Sequence, residues 1–415
     1  MISARPDEDS RTIAALRRRP EIRALSRLIV SGGNGAWIVG GAVRDALLRR
    51  ASPEIDVAVA RDAEGLALEM ERQGFGRAVF VSRGRPGPRV FRVAGRRPLD
   101  IAEIEGESIA ADLGRRDFTV NAMAVSLTTG EVLDPFGGRR DLAARRLRCV
   151  AARNLREDPL RALRAARLMA THGLLPDRAA TEASRRAAGG LRRVAPERIA
   201  SELGKLLEAP SAAGAIAWAL RAGILPASLG LRLTPARAGR AARSLRALES
   251  RSLCRLEPSR RRRLRLARIA RALDLSPVAA RSWLRDRRVS HREGEDVSRI
   301  LELAARALAV RDRAQSWQWI LDAGSLAPDA LHLMAIQGSH AARRAAALRR
   351  LGRQPVRRVP VNGDDLLRWL DVAPGPGLGE LLARVRLAAA MGTVRNRREA
   401  RNWLSGQGGN APHRL

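Results

Sequence analysis

The 415-residue chain has a single lysine, Lys205, no tyrosine and only two cysteines. Cys149 and Cys254 stand alone, without metal-ligand or redox spacing, which excludes a cysteine-rich zinc module and points to a reducing compartment. The opening MISARPDEDSRTIAALRRRP lacks the apolar core of a signal peptide, and no stretch is long and apolar enough to span a bilayer. A cytoplasmic protein with no membrane contact and no obligate protein partner is expected. No adjacent His-Asp pair occurs, so no metal-dependent phosphohydrolase domain is expected.

What the chain has is arginine. With 77 basic and 43 acidic residues the formal charge is +34, and with one lysine almost all of the positive charge is guanidinium. A coding bias toward arginine explains the choice of Arg over Lys but not the surplus of charge. That surplus points to a polyanionic partner, and the planar guanidinium suits phosphate. The length gives room for two or more domains.

Residues 37–56, WIVGGAVRDALLRRASPEID, organise the rest. Trp37, Ile38 and Val39 form an apolar run that ends at Gly40-Gly41, so a buried strand meets a tight turn. Val43, Ala46, Leu47 and Arg50 then follow helical spacing, so a helix starts at the glycines. Paired glycines let backbone N–H groups approach a ligand, and a helix start favours anions; Arg44 adds a cation. After Pro53 a second strand opens with Glu54-Ile55-Asp56, and at i and i+2 the two carboxylates share a face. Adjacent carboxylates repel unless a cation sits between them, so the stretch reads as a phosphate cradle beside a Mg²⁺ site.

Gly40-Gly41-x-Val43-Arg44-Asp45 followed by carboxylate-x-carboxylate resembles the head of the class II tRNA nucleotidyltransferases, a family that includes CCA-adding enzymes and bacterial poly(A) polymerases. Glu54 replaces the usual first Asp of that family's Asp-x-Asp. Residues 112–124 resemble its RRDFT-x-NA motif almost residue for residue, and residues 134–142 its DPFGG-x-x-DL element, whose glycines read as a flexible junction. Residues 156–168 resemble its ED-x-x-R base-selecting helix, and residues 196–203 the helix after it. The likeness is strong over 35–205, weak in the middle and moderate over 360–405.

The resemblance implies an α+β protein: an N-terminal nucleotidyltransferase head with a small mixed β-sheet and helices, then an all-α neck, body and tail. The segments expected are a lead-in 1–35, a catalytic head 36–142, a neck 143–208, an RNA-binding helical body 209–355 and a tail 356–415. It also implies roles. Glu54, Asp56 and Asp100 would hold two Mg²⁺ ions; Gly40, Gly41, Arg44 and Arg116 the triphosphate; Arg116, Asp117 and Asn121 the nucleotide. Asp158 and Arg161, three apart, are expected on one helical face, with Arg164 and Arg167 continuing the stripe. Asp158 could accept from an exocyclic amine while Arg161 donates to the neighbouring ring atom, an order that cytosine and adenine offer and guanine and uracil reverse.

Elsewhere, residues 12–30 read as one helix, 62–73 as another, and 78–81, 90–93 and 99–102 as strands, with a hairpin over 125–132. Residues 354–358 read as a linker. Trp317 and Trp319 read as packing, and Arg260 to Arg263 as either an RNA backbone contact or a solvated face. The activity implied is addition of C or A from CTP or ATP to a tRNA 3′ end, with the acceptor arm as partner. A poly(A) polymerase acting on other RNA 3′ ends and a catalytically weakened RNA-binding homologue are the alternatives. In CCA-adding members a longer loop with an Arg-x-Glu-x-Tyr-like start follows the third-carboxylate strand and acts as a lever. Here the stretch after Asp100 runs almost at once into residues 109–114, without that Arg or Tyr, which implies a CC-adding enzyme unless the Gly/Pro-rich residues 83–88 substitute.

Overall fold

The computed structural model describes residues 6–33, 35–81, 88–231, 233–246, 253, 255–335, 337–354, 359–370 and 374–407. The chain divides into two compact units, Met1–Pro258 and Ser259–Leu415. The division falls inside the stretch expected to be one helical body.

In the first unit the expected apolar runs become strands: β1 (Ala36–Val39), β2 (Ile55–Val59), β3 (Arg77–Phe80), β4 (Val90–Ala94), β5 (Leu99–Glu103), β6 (Ala124–Ser126) and β7 (Val132–Leu133). They make one mixed sheet in the order β3-β4-β5-β2-β1-β6-β7, in which β2 and β5 are parallel and the other pairs antiparallel. The alternation along these strands decides the layers. Ile55, Val57, Val59, Leu99, Ile101, Phe91 and Val93 are buried, whereas Asp56, Asp100 and Arg92 lie at the alternate positions with access to water.

The helices of this unit include α1 (Pro6–Arg17), α2 (Pro20–Ser31), α3 (Gly41–Leu47), α4 (Ala63–Arg72), α5 (Ile109–Gly114), α6 (Gly138–Ala143), α7 (Ala152–Glu157), α8 (Leu160–His172), α9 (Arg178–Ala187) and α10 (Pro196–Glu208). The single helix expected over 12–30 is two. Pro20 takes the first position of α2 and holds Arg19 at φ −58, ψ 138, outside the helical region, because the proline ring disfavours a helical residue before it. Two further short strands, β8 (Arg146–Leu147) and β9 (Leu175–Pro176), pair in parallel within the region expected to be wholly helical. The DPFGG element is a hydrogen-bonded tie: Asp134 accepts from the N–H groups of Gly138 and Arg139 at 2.6 and 2.9 Å, and buried Asp141 accepts from Thr119 Oγ1 at 2.7 Å.

The described secondary-structure elements of the second unit are all helices. Trp317 and Trp319 are core residues at 1% and 2% exposure, and Trp319 Nε1 donates to the Leu303 carbonyl. The arginine run turns inward, contrary to both expectations. Arg260 and Arg263 close on the fully buried Asp329 at 2.6 and 2.9 Å, Arg262 pairs with Glu293 at 3.1 Å, and Arg261 is buried. A buried carboxylate at the centre of a helix cluster needs such partners. Leu366, Val385, Ala388, Val394, Ala400 and Leu404 form a separate core near the C-terminal end. The linker expected at 354–358 falls largely outside the described residues, as does Cys254. No described helix is long and apolar enough to cross a membrane.

Candidate active site

The sheet register lines up the acidic residues. Asp56 on β2 is the lateral neighbour of Asp100 on β5, and Asp100 is the lateral neighbour of Arg92 on β4. Glu54 immediately precedes β2 and is half exposed, on the same side as Asp56. The Arg92 guanidinium grips both oxygens of Asp100, with Nε and Nη2 each at 2.7 Å, and approaches Glu54 at 3.8 Å. The Asp56 side chain has no hydrogen bond or salt bridge among the described residues. Its carboxylate opens onto a water-accessible cleft yet is enclosed at depth by protein, and this burial raises its pKa. Arg116 opposes that shift from a distance, and the like charges of Asp100 and Glu54 reinforce it.

The residues therefore fit a divalent cation at Glu54 and Asp56, where the Asp56 carboxylate has no ion pair among the described residues and Glu54 has only the 3.8 Å approach of Arg92. They do not fit the expected three-carboxylate set. Among the described residues no group of three or more His, Cys, Asp or Glu side chains converges to hold a metal ion. Asp100 is the one diverted, by Arg92.

Beside this row lies a cavity of about 510 Å³ that brings together Gly40, Gly41, Arg44, Glu54, Asp56, Arg116, Asp117, Asn121, Arg161, Arg164 and Arg167, residues far apart in the chain. Gly40 sits at φ 72, and a Cβ there would meet Arg116 Nη1 at 2.7 Å, so the turn needs glycine for both its conformation and its contact. Arg116 is held by Asp112, one turn before it, at 3.1 Å, which leaves Nη1 over the glycine turn.

A polar chain runs behind the cavity wall. His172 Nε2 meets Asp45 Oδ1 at 3.0 Å, Asp45 pairs with Arg44 at 2.7 Å, and Arg44 Nη1 donates to Asn121 Oδ1 at 2.6 Å. Asn121 Nδ2 donates to Asp117 at 3.0 Å, and Arg164 Nη1 donates to the other Asp117 oxygen at 3.1 Å. Arg164 and Arg167 then share Glu202 of α10, at 3.6 and 2.7 Å. Burial works against the Asp117 charge, but Arg164, Asn121 and the Phe118 N–H outweigh it and hold its pKa below the usual value. Asp45 is lowered similarly, with His172 and Arg44 overcoming burial. His172 is lowered too, because burial outweighs the pull of Asp45.

This network engages the side chains expected at the nucleotide with one another. Arg44 was expected at the triphosphate, but it is buried at 5% exposure and spent on Asp45 and Asn121. Asp117 and Asn121 were expected at the nucleotide, yet their polar atoms bind each other, Arg44 and Arg164. Arg164 and Arg167 likewise meet carboxylates rather than presenting free guanidinium groups.

Asp158 and Arg161 do not share a helical face. Pro159 follows Asp158 and excludes the helical conformation there, so Asp158 is extended at φ −124, ψ 94 and α8 begins after it. Asp158 accepts from Arg198 of α10 at 2.9 Å, and Arg161 donates to the carbonyls of Arg115 and Asn154 at 2.7 and 3.1 Å. Arg161 reaches the cavity; Asp158 does not line it.

Site residues missed in the sequence are Asp45, Arg92, Asp112, His172, Glu202 and Lys205. Lys205, on α10, lines the cavity, and its being the only lysine among 77 basic residues was the available signal. The connection between β5 and α5 is residues 104–108 alone. Ile104 N bonds Val59 O at 2.9 Å, Glu105 N bonds Asp112 at 3.2 Å, and Ser108 caps α5. Of residues 83–88, expected as a possible substitute for the lever, only Pro88 is among the described residues.

Residues 36–148 match the family described as Poly A polymerase head domain, and residues 262–402 match the one described as tRNA nucleotidyltransferase domain 2, putative. A CC-adding tRNA nucleotidyltransferase of Geobacter sulfurreducens is 32% identical across 92% of this chain and 94% of its own. A CCA-adding enzyme of Geobacillus kaustophilus is 30% identical across 88% and 91%. The crystal structure of the Bacillus stearothermophilus CCA-adding enzyme in complex with CTP matches with a TM-score of 0.70 at 26% identity, covering 94% of this chain and 98% of that one. The Thermotoga maritima CCA-adding enzyme complexed with tRNA shares the fold, with a TM-score of 0.72 at 21% identity over 96% and 98%. With the motifs in place and relatives 32% and 30% identical over nearly the whole of both chains, the chain belongs to the tRNA nucleotidyltransferase family.

Proposed function

We propose that this enzyme adds cytidines from CTP to the 3′ end of tRNA and adds the terminal adenosine poorly. The observation that carries the reading is the connection at 104–108. A lever must swing, and this segment is short, bonded to β2 and α5, and closed by a helix cap. A relative named CC-adding, 32% identical over nearly the whole chain, supports it, as does another that is 36% identical over half of this chain. The head 36–142 would carry the chemistry. The helices after it would hold the acceptor arm by shape and phosphate charge.

In this reading the RNA 3′-hydroxyl attacks the α-phosphate in line and pyrophosphate leaves. A Mg²⁺ ion bound by Glu54 and Asp56 would lower the pKa of that hydroxyl and offset developing charge. Arg116, its Nη1 over the Gly40 turn, would take triphosphate oxygens that approach along the glycine backbone. Arg44 would act indirectly, by holding Asn121 and Asp45 in place. Arg161 and Asp158 would read the base edge only after exchanging their present partners, the Arg115 and Asn154 carbonyls and Arg198.

Asp56→Ala tests the assignment. It removes a donor oxygen without opening a core cavity, so incorporation should fall by roughly 10²-fold or more while the melting temperature holds. Near wild-type turnover would sink the reading of this carboxylate.

A further inference from the structure

The row of residues that the sheet aligns carries one cation too many for a site built only to receive metal. Reading across β4, β5 and β2, the register gives Arg92, Asp100, Asp56. Two carboxylates on neighbouring strands repel, and a sheet that places them side by side needs a positive charge nearby. A bound ion can supply it, but here the fold supplies it covalently. Arg92 is one third exposed, so nothing in its packing forces it inward. Its position comes from the bidentate grip on Asp100, whose side chain is only 16% exposed. Such a fork is geometrically specific and stronger than a neutral hydrogen bond. Its second acidic neighbour is Glu54, at 3.8 Å. The extra methylene of Glu54, compared with an aspartate, leaves its carboxylate within reach of both Arg92 and the space beside Asp56.

We propose that Arg92 is a positioning residue that reserves Asp100. By clamping both oxygens, it keeps Asp100 out of the cation site formed by Glu54 and Asp56, so the free enzyme holds one divalent cation rather than two. The inference rests on the reading of Glu54 and Asp56 as cation ligands. It differs from the usual expectation for three nearby carboxylates, because Asp100 is withheld by a side chain of the same sheet. Asp100 then becomes available only when Arg92 lets go.

The test counts ions without any turnover. Mn²⁺ is titrated into the full-length protein, with no nucleotide and no tRNA, and free Mn²⁺ is read by electron paramagnetic resonance. The wild type should bind one ion. Arg92→Met should bind two, and Arg92→Met combined with Asp100→Asn should return to one, with circular dichroism confirming that both variants fold. Two ions in the wild type would overturn the proposal whatever the variants do, and so would a folded Arg92→Met protein that still binds one. No ion in the wild type would instead overturn the reading of Glu54 and Asp56 on which the proposal stands. A purely structural role for Arg92 would change the melting temperature and leave the count unchanged.

Discussion

Arginine serves opposite purposes in two parts of this molecule. On α8, Arg164 and Arg167 meet Asp117 and Glu202, so these two guanidinium groups at the cavity wall have counter-charges fixed by the fold. In the second unit, a cavity of about 610 Å³ is lined by Arg313, Arg343, Arg344, Arg350 and His340, with no carboxylate in its described lining. Paired arginines hold a fixed geometry at a buried site. Arginines without counter-charges leave positive potential free for a polyanion. The +34 charge therefore belongs to surfaces of the second kind, and the arginine motifs that first draw the eye belong to the first.

The comparison breaks most visibly at Arg164. Arg164→Met strands Asp117, whose side chain is 3% exposed, and should cost about 3 kcal/mol, near the low end for a broken buried pair because Arg164 keeps 31% exposure to the cavity. Chemical denaturation measures it; a cost under 1 kcal/mol would mean that the network behind the wall is not structural. Arg343→Gln together with Arg350→Gln should do the reverse. Stability should move by less than about 0.5 kcal/mol per substitution. The slope of log affinity for tRNA against log salt should shrink by about one per arginine lost. An unchanged slope would place the RNA elsewhere. The smallest effect sharpens the buried side. Burial holds the folded His172 pKa below that of a free imidazole, so the unfolded chain takes the proton more readily and stability falls as pH drops from neutrality through the free-imidazole range towards the folded value. His172→Gln should lose that dependence in a series of melts from pH 7 to pH 5. His332, also lowered by burial, titrates in the same window, so the difference between wild type and variant carries the information.

The head was legible because its signals are local. Gly40-Gly41 and the carboxylates on alternate strand positions each act within a few residues. The sheet strands were found for the same reason, and β8 and β9 were missed because two-residue strands carry no period. Local signals also misled where a proline intervened, at Pro20 and at Pro159. What could not be read was pairing. Arg44 finds Asn121, Arg167 finds Glu202 and Arg263 finds Asp329, at separations of 77, 35 and 66 residues. Each partner is an ordinary polar residue in its own segment, and only the fold selects it. The fold brings the motif residues to one cavity, while the pairings of Arg44, Asp117 and Asn121 there could not be deduced.

The reading turns on residues 104–108 being too short to switch the pocket from CTP to ATP. The direct measurement gives purified enzyme a tRNA transcript ending before CCA, with CTP alone, ATP alone or both, and resolves the products to single nucleotides. The account predicts that CTP alone yields two added cytidines and that including ATP adds little beyond them. Complete CCA ends, with adenosine added at a rate comparable to cytidine, would contradict it.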